Sequence, residues 1–231
     1  MIMLERQKDS KALVKELSKL LKDDDVISEQ EAVLGAKVPI LKIIEKETGL
    51  PIDISFNAAD GYKAIEPIKE LMKRYPPLKS LTLVIKAFLR ERRLNETYTG
   101  GIGSFLLVTM IVAFIQFECK DRKKNLKETN LGELLIHFFR FYGSEFNHVM
   151  LGISVVGDGT FYKKKEPDIT LSVENPMDID SDVGKQVRHY NDVVKTFQFA
   201  SDLLRYTGAS LGGILHGYRD RRTKKDSAAA V

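Results

Sequence analysis

The 231-residue sequence has no tryptophan and one cysteine, Cys119. A lone thiol excludes an internal disulfide framework and a cysteine zinc site, and it fits a reducing compartment. Neither sign of charge dominates: 36 Lys and Arg stand against 32 Asp and Glu, a net of +4. The mean charge therefore selects no partner, and the placement of the basic residues carries the information. The amino-terminal stretch lacks an apolar core, since Glu5, Arg6, Lys8, Asp9, Lys11, Lys15 and Glu16 interrupt it, so no secretion signal is expected there. The most apolar run, Ile102 to Phe117, has about sixteen residues where a bilayer span needs ~20. It reads as a buried core helix. What is present is a globular balance, 43% apolar and 29% charged, with 12 Phe and 8 Tyr to build a core. The expectation is a soluble intracellular chain of one large domain or two small ones.

Apolar positions at helical spacing predict a helix over residues 10–22, ended by the acidic turn Asp23-Asp24-Asp25. Val38–Ile44 and Leu50–Phe56, parted by the turn-like Glu45-Lys46-Glu47-Thr48-Gly49, read as a β-hairpin. In its second strand Ile52, Ile54 and Phe56 share one face and Asp53 and Ser55 the other. Helical patterns follow over 62–74, 78–93, 102–117, 130–143 and 191–206, with Pro76-Pro77 and the charged stretch 120–128 as breaks. Short strands are expected between residues 151 and 176, with Gly157-Asp158-Gly159 as a turn and Ile169, Leu171 and Val173 alternating. The last residues, Arg219 to Val231, read as a frayed basic tail. A two-stranded hairpin would leave unpaired edges, so the front of the chain looks like part of a larger sheet.

Four features could carry chemistry. Asp53 lies mid-strand in Leu50-Pro51-Ile52-Asp53-Ile54-Ser55-Phe56-Asn57, either on a solvated face or as a metal ligand that would need further carboxylates nearby. Lys79, Lys86, Arg90 and Arg93 recur along one helical face, suited to a triphosphate or an RNA backbone, or simply to solvent. Thr99-Gly100-Gly101-Ile102-Gly103-Ser104-Phe105 leads into the apolar helix. Glycines and a hydroxyl at a helix start can cradle phosphate; they can equally permit a tight helix–helix approach. The polar loop from Glu174 to Gly184 suits base reading or an acidic surface. His137, His148, His189 and His216 show no metal-ligand spacing, and Cys119 reads as a plain buried thiol.

Taken in order, these segments resemble the non-canonical poly(A) polymerases of the DNA polymerase β-like nucleotidyltransferase superfamily, and most closely the TRAMP-complex type. The resemblance rests on Ala36-Lys37-Val38-Pro39-Ile40-Leu41-Lys42, Ile52-Asp53-Ile54-Ser55-Phe56-Asn57, Leu83-Val84-Ile85-Lys86-Ala87-Phe88-Leu89 and Arg92-Arg93-Leu94-Asn95. It continues through the glycine-rich loop, Asn130-Leu131-Gly132-Glu133-Leu134-Leu135-Ile136, Tyr142-Gly143, Glu174-Asn175-Pro176 and Asp182-Val183-Gly184. It implies an α+β fold: a remnant of a nucleotidyltransferase palm sheet, the β-hairpin, in residues 1–57, then a mainly helical central and PAP-associated domain in 58–207, then a basic tail in 208–231.

The implied function is an RNA 3′-end nucleotidyltransferase that adds AMP from ATP with Mg²⁺ (or Mn²⁺) in nuclear RNA processing and surveillance. By the resemblance Asp53 is the third catalytic carboxylate and a metal ligand. Lys86 and Arg90 contact the triphosphate, Ser104 binds phosphate within the loop that contains Gly101, and Phe105 stacks on the base. Residues 174–184 form the nucleotide-recognition loop, with Asn175, Asp178 and Ser181 as its site residues. Implied partners are the RNA 3′ end, a zinc-knuckle RNA-binding protein and an RNA helicase of the exosome pathway. Three departures stand out. Asn175 replaces the usual Asp, Ser181 stands where a base-reading Asn or His is typical, and no Gly-Ser with an Asp-x-Asp precedes Asp53. Asp23-x-Asp25 reads as a helix-terminal turn, so the first two catalytic carboxylates are expected to be missing from this chain. The alternative is a non-catalytic RNA- or protein-binding module of the same descent.

Overall fold

The computed structural model describes residues 9–22, 24–36, 38–57, 59–120, 126, 129–157, 159–206 and 210–215. Asp23, Lys37, Asp158 and residues 216–231, which make up most of the expected basic tail, lie outside the described residues. The chain divides into two compact units, Met1–Pro67 and Ile68–Val231.

In the first unit, helix α1 (Ser10–Leu20) starts at Asp9, whose carboxylate accepts the Lys11 amide at 3.3 Å. It packs on a three-stranded antiparallel sheet, β1 (Ile27–Val33), β2 (Ile40–Glu45) and β3 (Pro51–Ser55), in the order β1-β2-β3. The expected two-stranded hairpin is therefore corrected by a third strand. The β1 sequence Ile-Ser-Glu-Gln-Glu-Ala-Val offers no apolar run, because one face meets solvent and the other meets α1 partly through Gln30. That side chain donates to the Ser18 carbonyl at 3.0 Å. In the register Leu41 faces Ile54, Ile43 faces Ile52 and Lys42 faces Asp53. Alternation then sends Leu41, Ile43 and Ile54 toward Val14 and Leu17, and Asp53 to the opposite, exposed face. The β2–β3 turn is held by the Glu45 carboxylate, which accepts the Thr48 hydroxyl and the amides of Glu47 and Thr48. Helix α2 (Ala59–Arg74) leads out of this unit.

The second unit is built around α4 (Ser104–Lys120), which is buried on every side from Leu106 to Gln116. Around it lie α3 (Pro77–Glu91), α5 (Leu131–Arg140) with a π-helical turn at Phe141–Glu145, α6 (Tyr190–Tyr206) and the short α7 (Leu211–Leu215). The last lies within the stretch expected to be a tail. Phenylalanines fill the role that tryptophan often takes in a core: Phe88, Phe139, Phe138 and Phe197 form a cluster with ring centroids 4.9–6.3 Å apart. Tyr142 is buried among them and donates its hydroxyl to the Met110 carbonyl at 2.8 Å. Gly143 lets the π-helical turn touch α6, since a Cβ there would sit 2.5 Å from the Gln198 amide nitrogen.

Strands β4 (Leu151–Ser154) and β5 (Thr160–Lys163) pair, as do β6 (Glu174–Asn175) and β7 (Asp178–Asp182). The alternation of Ile169, Leu171 and Val173 does not make a strand. Ile169 is 69% exposed while Leu171 and Val173 are buried, and Val173 makes only a single parallel bridge to Ile153. Among the described residues no helix is long and apolar enough to cross a membrane.

Helix α3 ends at Glu91, short of the expected residue 93, through a closed carboxyl-terminal turn. The Leu94 amide donates to the Leu89 carbonyl at 2.9 Å and the Arg93 amide to the Arg90 carbonyl at 3.0 Å, with Arg93 at φ +58°. Arg92 seals the turn. Its guanidinium lies 3.8 Å over the Phe88 ring and donates to the carbonyls of Phe88 and Ile214, which ties α3 to α7. Because a left-handed conformation suits glycine and strains arginine, Arg93→Gly should stabilise the chain by about 1 kcal/mol. Chemical denaturation checks this, and a lower midpoint for the glycine variant would contradict the strain.

Candidate functional site

Three of the sequence-predicted segments belong to the second unit. On α3 the side chains of Lys79, Lys86 and Arg90 are exposed along one face, while Arg93 lies beyond the helix end and leaves the row. Lys79 to Lys86 to Arg90 steps by seven and four residues, which returns to the same side of a 3.6-residue helix.

The glycine-rich loop is more constrained than an open phosphate cradle. The amides of Gly100, Gly101 and Ile102 already donate to Thr97, Glu96 and Leu94 carbonyls at 3.0, 2.8 and 2.8 Å. Gly101 is buried against the Leu94 carbonyl, and Gly100, at φ +87°, lies against Arg188 and His189. Close approach therefore accounts for these glycines. The amides open to a ligand are those of the first turn of α4, beginning at the exposed Ser104, which have no intrahelical acceptor. Phe105 is half-buried on that turn.

The loop from Glu174 to Gly184 is a hairpin, β6–β7, with Asp178 exposed on its outer strand. Its two departures from the family pattern touch each other: the Asn175 amide nitrogen donates to the Ser181 hydroxyl at 3.1 Å. The Asn175 carbonyl oxygen meanwhile accepts the Met177 amide at 3.0 Å, closing the turn. An aspartate at 175 could keep the turn but could not donate an amide to Ser181.

Side chains to which the sequence reading gave no role hold this hairpin. The Asp182 carboxylate accepts the Val173 amide at 2.9 Å, the Gly184 amide at 2.8 Å and the Ser172 hydroxyl at 2.7 Å. Ser172 is in turn 2.7 Å from the Tyr162 hydroxyl, whose pKa burial pushes up. Lys164 donates to the carbonyls of His148, Asp168 and Thr170 at 2.6, 2.9 and 2.6 Å. Partial burial holds its pKa below the usual lysine value. Tyr162, Lys164, Asp168 and Asp182 wall a mixed-charge cavity of about 360 Å³ behind the hairpin. Only an aspartate two residues before a glycine signals this frame in the sequence.

Asp53 belongs to the first unit, exposed on β3 opposite Lys42. Among the described residues no group of three or more His, Cys, Asp or Glu is placed to hold a metal ion. Cys119 is half-buried, and burial raises its thiol pKa, which suits an inert thiol and not a nucleophile. His137 lies 3.6 Å from the fully buried Glu118.

Comparison with known proteins points one way. A family model described as Cid1 family poly A polymerase matches residues 130–181. A second, described as Poly(A) RNA polymerase, mitochondrial-like, central palm domain, matches residues 3–70. The chain is 34% identical over 199 residues to Poly(A) RNA polymerase CID14 of Cryptococcus neoformans, covering 83% of this chain and 26% of that protein. It is 34% identical over 206 residues to Poly(A) RNA polymerase cid14 of Schizosaccharomyces pombe, covering 86% of this chain and 30% of that protein. The chain thus spans between about a quarter and a third of the curated relatives it matches. The solved polymerase core of TRAMP, an RNA surveillance complex, superposes with a TM-score of 0.80 at 28% identity, over 92% of this chain and 73% of that one.

The frame behind the hairpin generates a pH dependence. Burial first, then the Lys164 charge, lowers the His148 pKa below its ordinary 6.5, against a hydrogen bond with Asn191 that raises it. The unfolded chain therefore takes up the proton before the folded one does. The stability this site contributes is fully present above pH 6.5 and is lost as pH falls toward the lower folded value. His148→Asn should flatten the fall in thermal midpoint between about pH 7 and 5. An equally steep fall in that variant would remove His148 from the account.

Proposed function

Since the chain belongs to the poly(A) RNA polymerase family of the TRAMP type, we propose that it carries the nucleotide-handling part of an RNA 3′-end nucleotidyltransferase that adds AMP from ATP. One observation carries the reading: the glycine-rich loop before α4 and the β6–β7 hairpin belong to one unit, and the chain that leaves the hairpin bonds back to the loop, His189 amide to Gly100 carbonyl, at 3.0 Å. Those are the segments expected to take the phosphates and the base.

In the reaction the 3′ hydroxyl oxygen of the RNA forms a bond to the α-phosphorus of ATP. The bond from that phosphorus to the bridging oxygen of the β-phosphate breaks, the electron pair leaves on pyrophosphate, and the hydroxyl proton is released. Lys86 and Arg90 offset the triphosphate charge as point and fork cations. Ser104 adds its hydroxyl and the first-turn amides of α4 to the phosphates, and Phe105 offers a ring face to the base. Asn175, Asp178 and Ser181 present the polar edge that meets the base, with the amide of Asn175 fixing the Ser181 hydroxyl.

Asp53 can supply one ligand to a divalent cation, and among the described residues no group of three or more potential ligands accompanies it. Magnesium keeps part of its water and takes one or two carboxylates together with substrate phosphates, and the exposed Asp53 carboxylate can serve in that way. When bound, Mg²⁺ (or Mn²⁺) would neutralise phosphate charge and favour ionisation of the attacking hydroxyl. The setting that goes with this chemistry is nuclear RNA processing, with the RNA 3′ end as substrate and a zinc-knuckle RNA-binding protein and an RNA helicase as companions.

Two measurements test the reading. The chain should bind ATP, and Lys86→Ala should weaken binding about tenfold, the value of one lost charge-assisted phosphate contact. Identical calorimetric titrations for both proteins would remove Lys86 from the phosphate site. Fused in frame behind the amino-terminal segment of the fission-yeast relative, the chain should extend an oligo(A) primer with ATP, and Asp53→Ala should abolish the extension. A fusion that binds RNA yet never extends it would leave the non-catalytic module as the better description.

A further inference from the structure

The hairpin expected to meet the base and the loop expected to meet the phosphates are joined by a short run of backbone with no slack. At one end the Asp182 carboxylate gathers the Val173 amide, the Gly184 amide and the Ser172 hydroxyl at 2.7–2.9 Å. Behind it the Tyr162 hydroxyl holds Ser172 at 2.7 Å. Gly184 is wedged on this frame, since a Cβ there would lie 2.5 Å from the Leu171 carbonyl oxygen. From Gly184 the chain makes one 3₁₀ turn, Gly184–Gln186, closed by the Val187 amide on the Gly184 carbonyl at 3.0 Å, with Val187 buried.

At the other end His189 donates its amide to the Gly100 carbonyl at 3.0 Å. Gly100 is pressed so closely that a Cβ would lie 3.0 Å from both Arg188 Cβ and His189 Cδ2. The glycine-rich loop cannot absorb a displacement of His189 locally, because the Gly101 and Ile102 amides are pinned to Glu96 and Leu94 at 2.8 Å. With those bonds the stretch from Leu94 to Ile102 is one stiff loop, held at Gly100 by His189 and running directly into Gly103 and Ser104, where α4 begins.

We infer that Asp182 and the Gly100–His189 junction are positioning residues that make the hairpin and the glycine-rich loop one unit, so that the phosphate seat depends on how the base-facing hairpin is held. Neither Asp182 nor His189 is asked to touch the nucleotide. The inference rests on the nucleotide reading given above, and it adds a coupling that two independently folded loops would not show.

The test uses inorganic tripolyphosphate, which presents phosphates without a base, titrated into the whole chain beside ATP. Asp182→Asn keeps the size of the side chain and removes its charge and one acceptor oxygen. Tyr162→Phe keeps the ring and removes only the hydroxyl behind Ser172. With thermal midpoints confirming that the variants fold, Asp182→Asn should weaken tripolyphosphate binding about three- to tenfold, the size of coupling usual between residues of one network. Tyr162→Phe should shift it in the same direction by a smaller factor, and it carries the test alone should Asp182→Asn not fold. Unchanged tripolyphosphate affinity in the folded variants, with ATP still bound by the wild type, overturns the coupling and leaves the nucleotide reading standing. A wild-type chain that binds neither tripolyphosphate nor ATP overturns both.

Discussion

A helix with no polar face must be covered on every side, and α4 is such a helix. From Leu106 to Gln116 it is buried all round, so α3, α5, the π-helical turn and β4 are obliged to surround it. The Tyr142 hydroxyl reaches one of its carbonyls, that of Met110, at 2.8 Å, and satisfies the one polar group that so deep a phenol must pair. Because the middle of α4 cannot move without opening the core, only its first turn, with Ser104 exposed and Phe105 half-buried, is left to answer to the chain before it. Ser104 and Phe105 are placed by the buried helix behind them and by the glycine-rich loop that reaches them from Leu94.

What was legible in the sequence follows from what periodicity can record. The apolar stripes of α1, α3 and α4 and the alternation in β3 repeat over enough residues to be seen, and so did the basic row at Lys79, Lys86 and Arg90. Strand β1 leaves no periodic trace because only its two ends are apolar; its middle, Ser28 to Glu31, is polar on both faces. For a related reason, helix α3 stops two residues before its apolar pattern predicts. The left-handed residue that stops it is Arg93, where a glycine would have announced the stop. The turn between α5 and β4 could not be anticipated either, since nothing in Phe-Tyr-Gly-Ser-Glu distinguishes a π-helical turn from another turn of α5.

The candidate site divides along the same line. Side chains that would meet a nucleotide are surface residues in a recurring order, and order survives in sequence. The side chains that hold them are not marked in this way. Asp182, Ser172 and Tyr162 act through single hydrogen bonds made across 9 to 10 residues of intervening chain, and such bonds leave no periodic trace. Residue chemistry alone also left two accounts of Gly100 and Gly101, phosphate cradle or tight approach. The backbone bonds decide for tight approach at those glycines and leave the first-turn amides of α4 without an intrahelical acceptor.

The aromatic make-up of the core has an optical consequence. With no tryptophan in the chain, the ultraviolet absorption and intrinsic emission of the folded protein belong to tyrosine. The tyrosines are not equivalent: Tyr142 and Tyr190 are buried in the second unit and held as neutral phenols well beyond the ordinary value, while Tyr98 and Tyr206 stand in solvent. Alkaline difference spectra therefore resolve a surface population from an interior one. The interior signal reports on the packing between the π-helical turn and α6, without a label and without a change to the sequence.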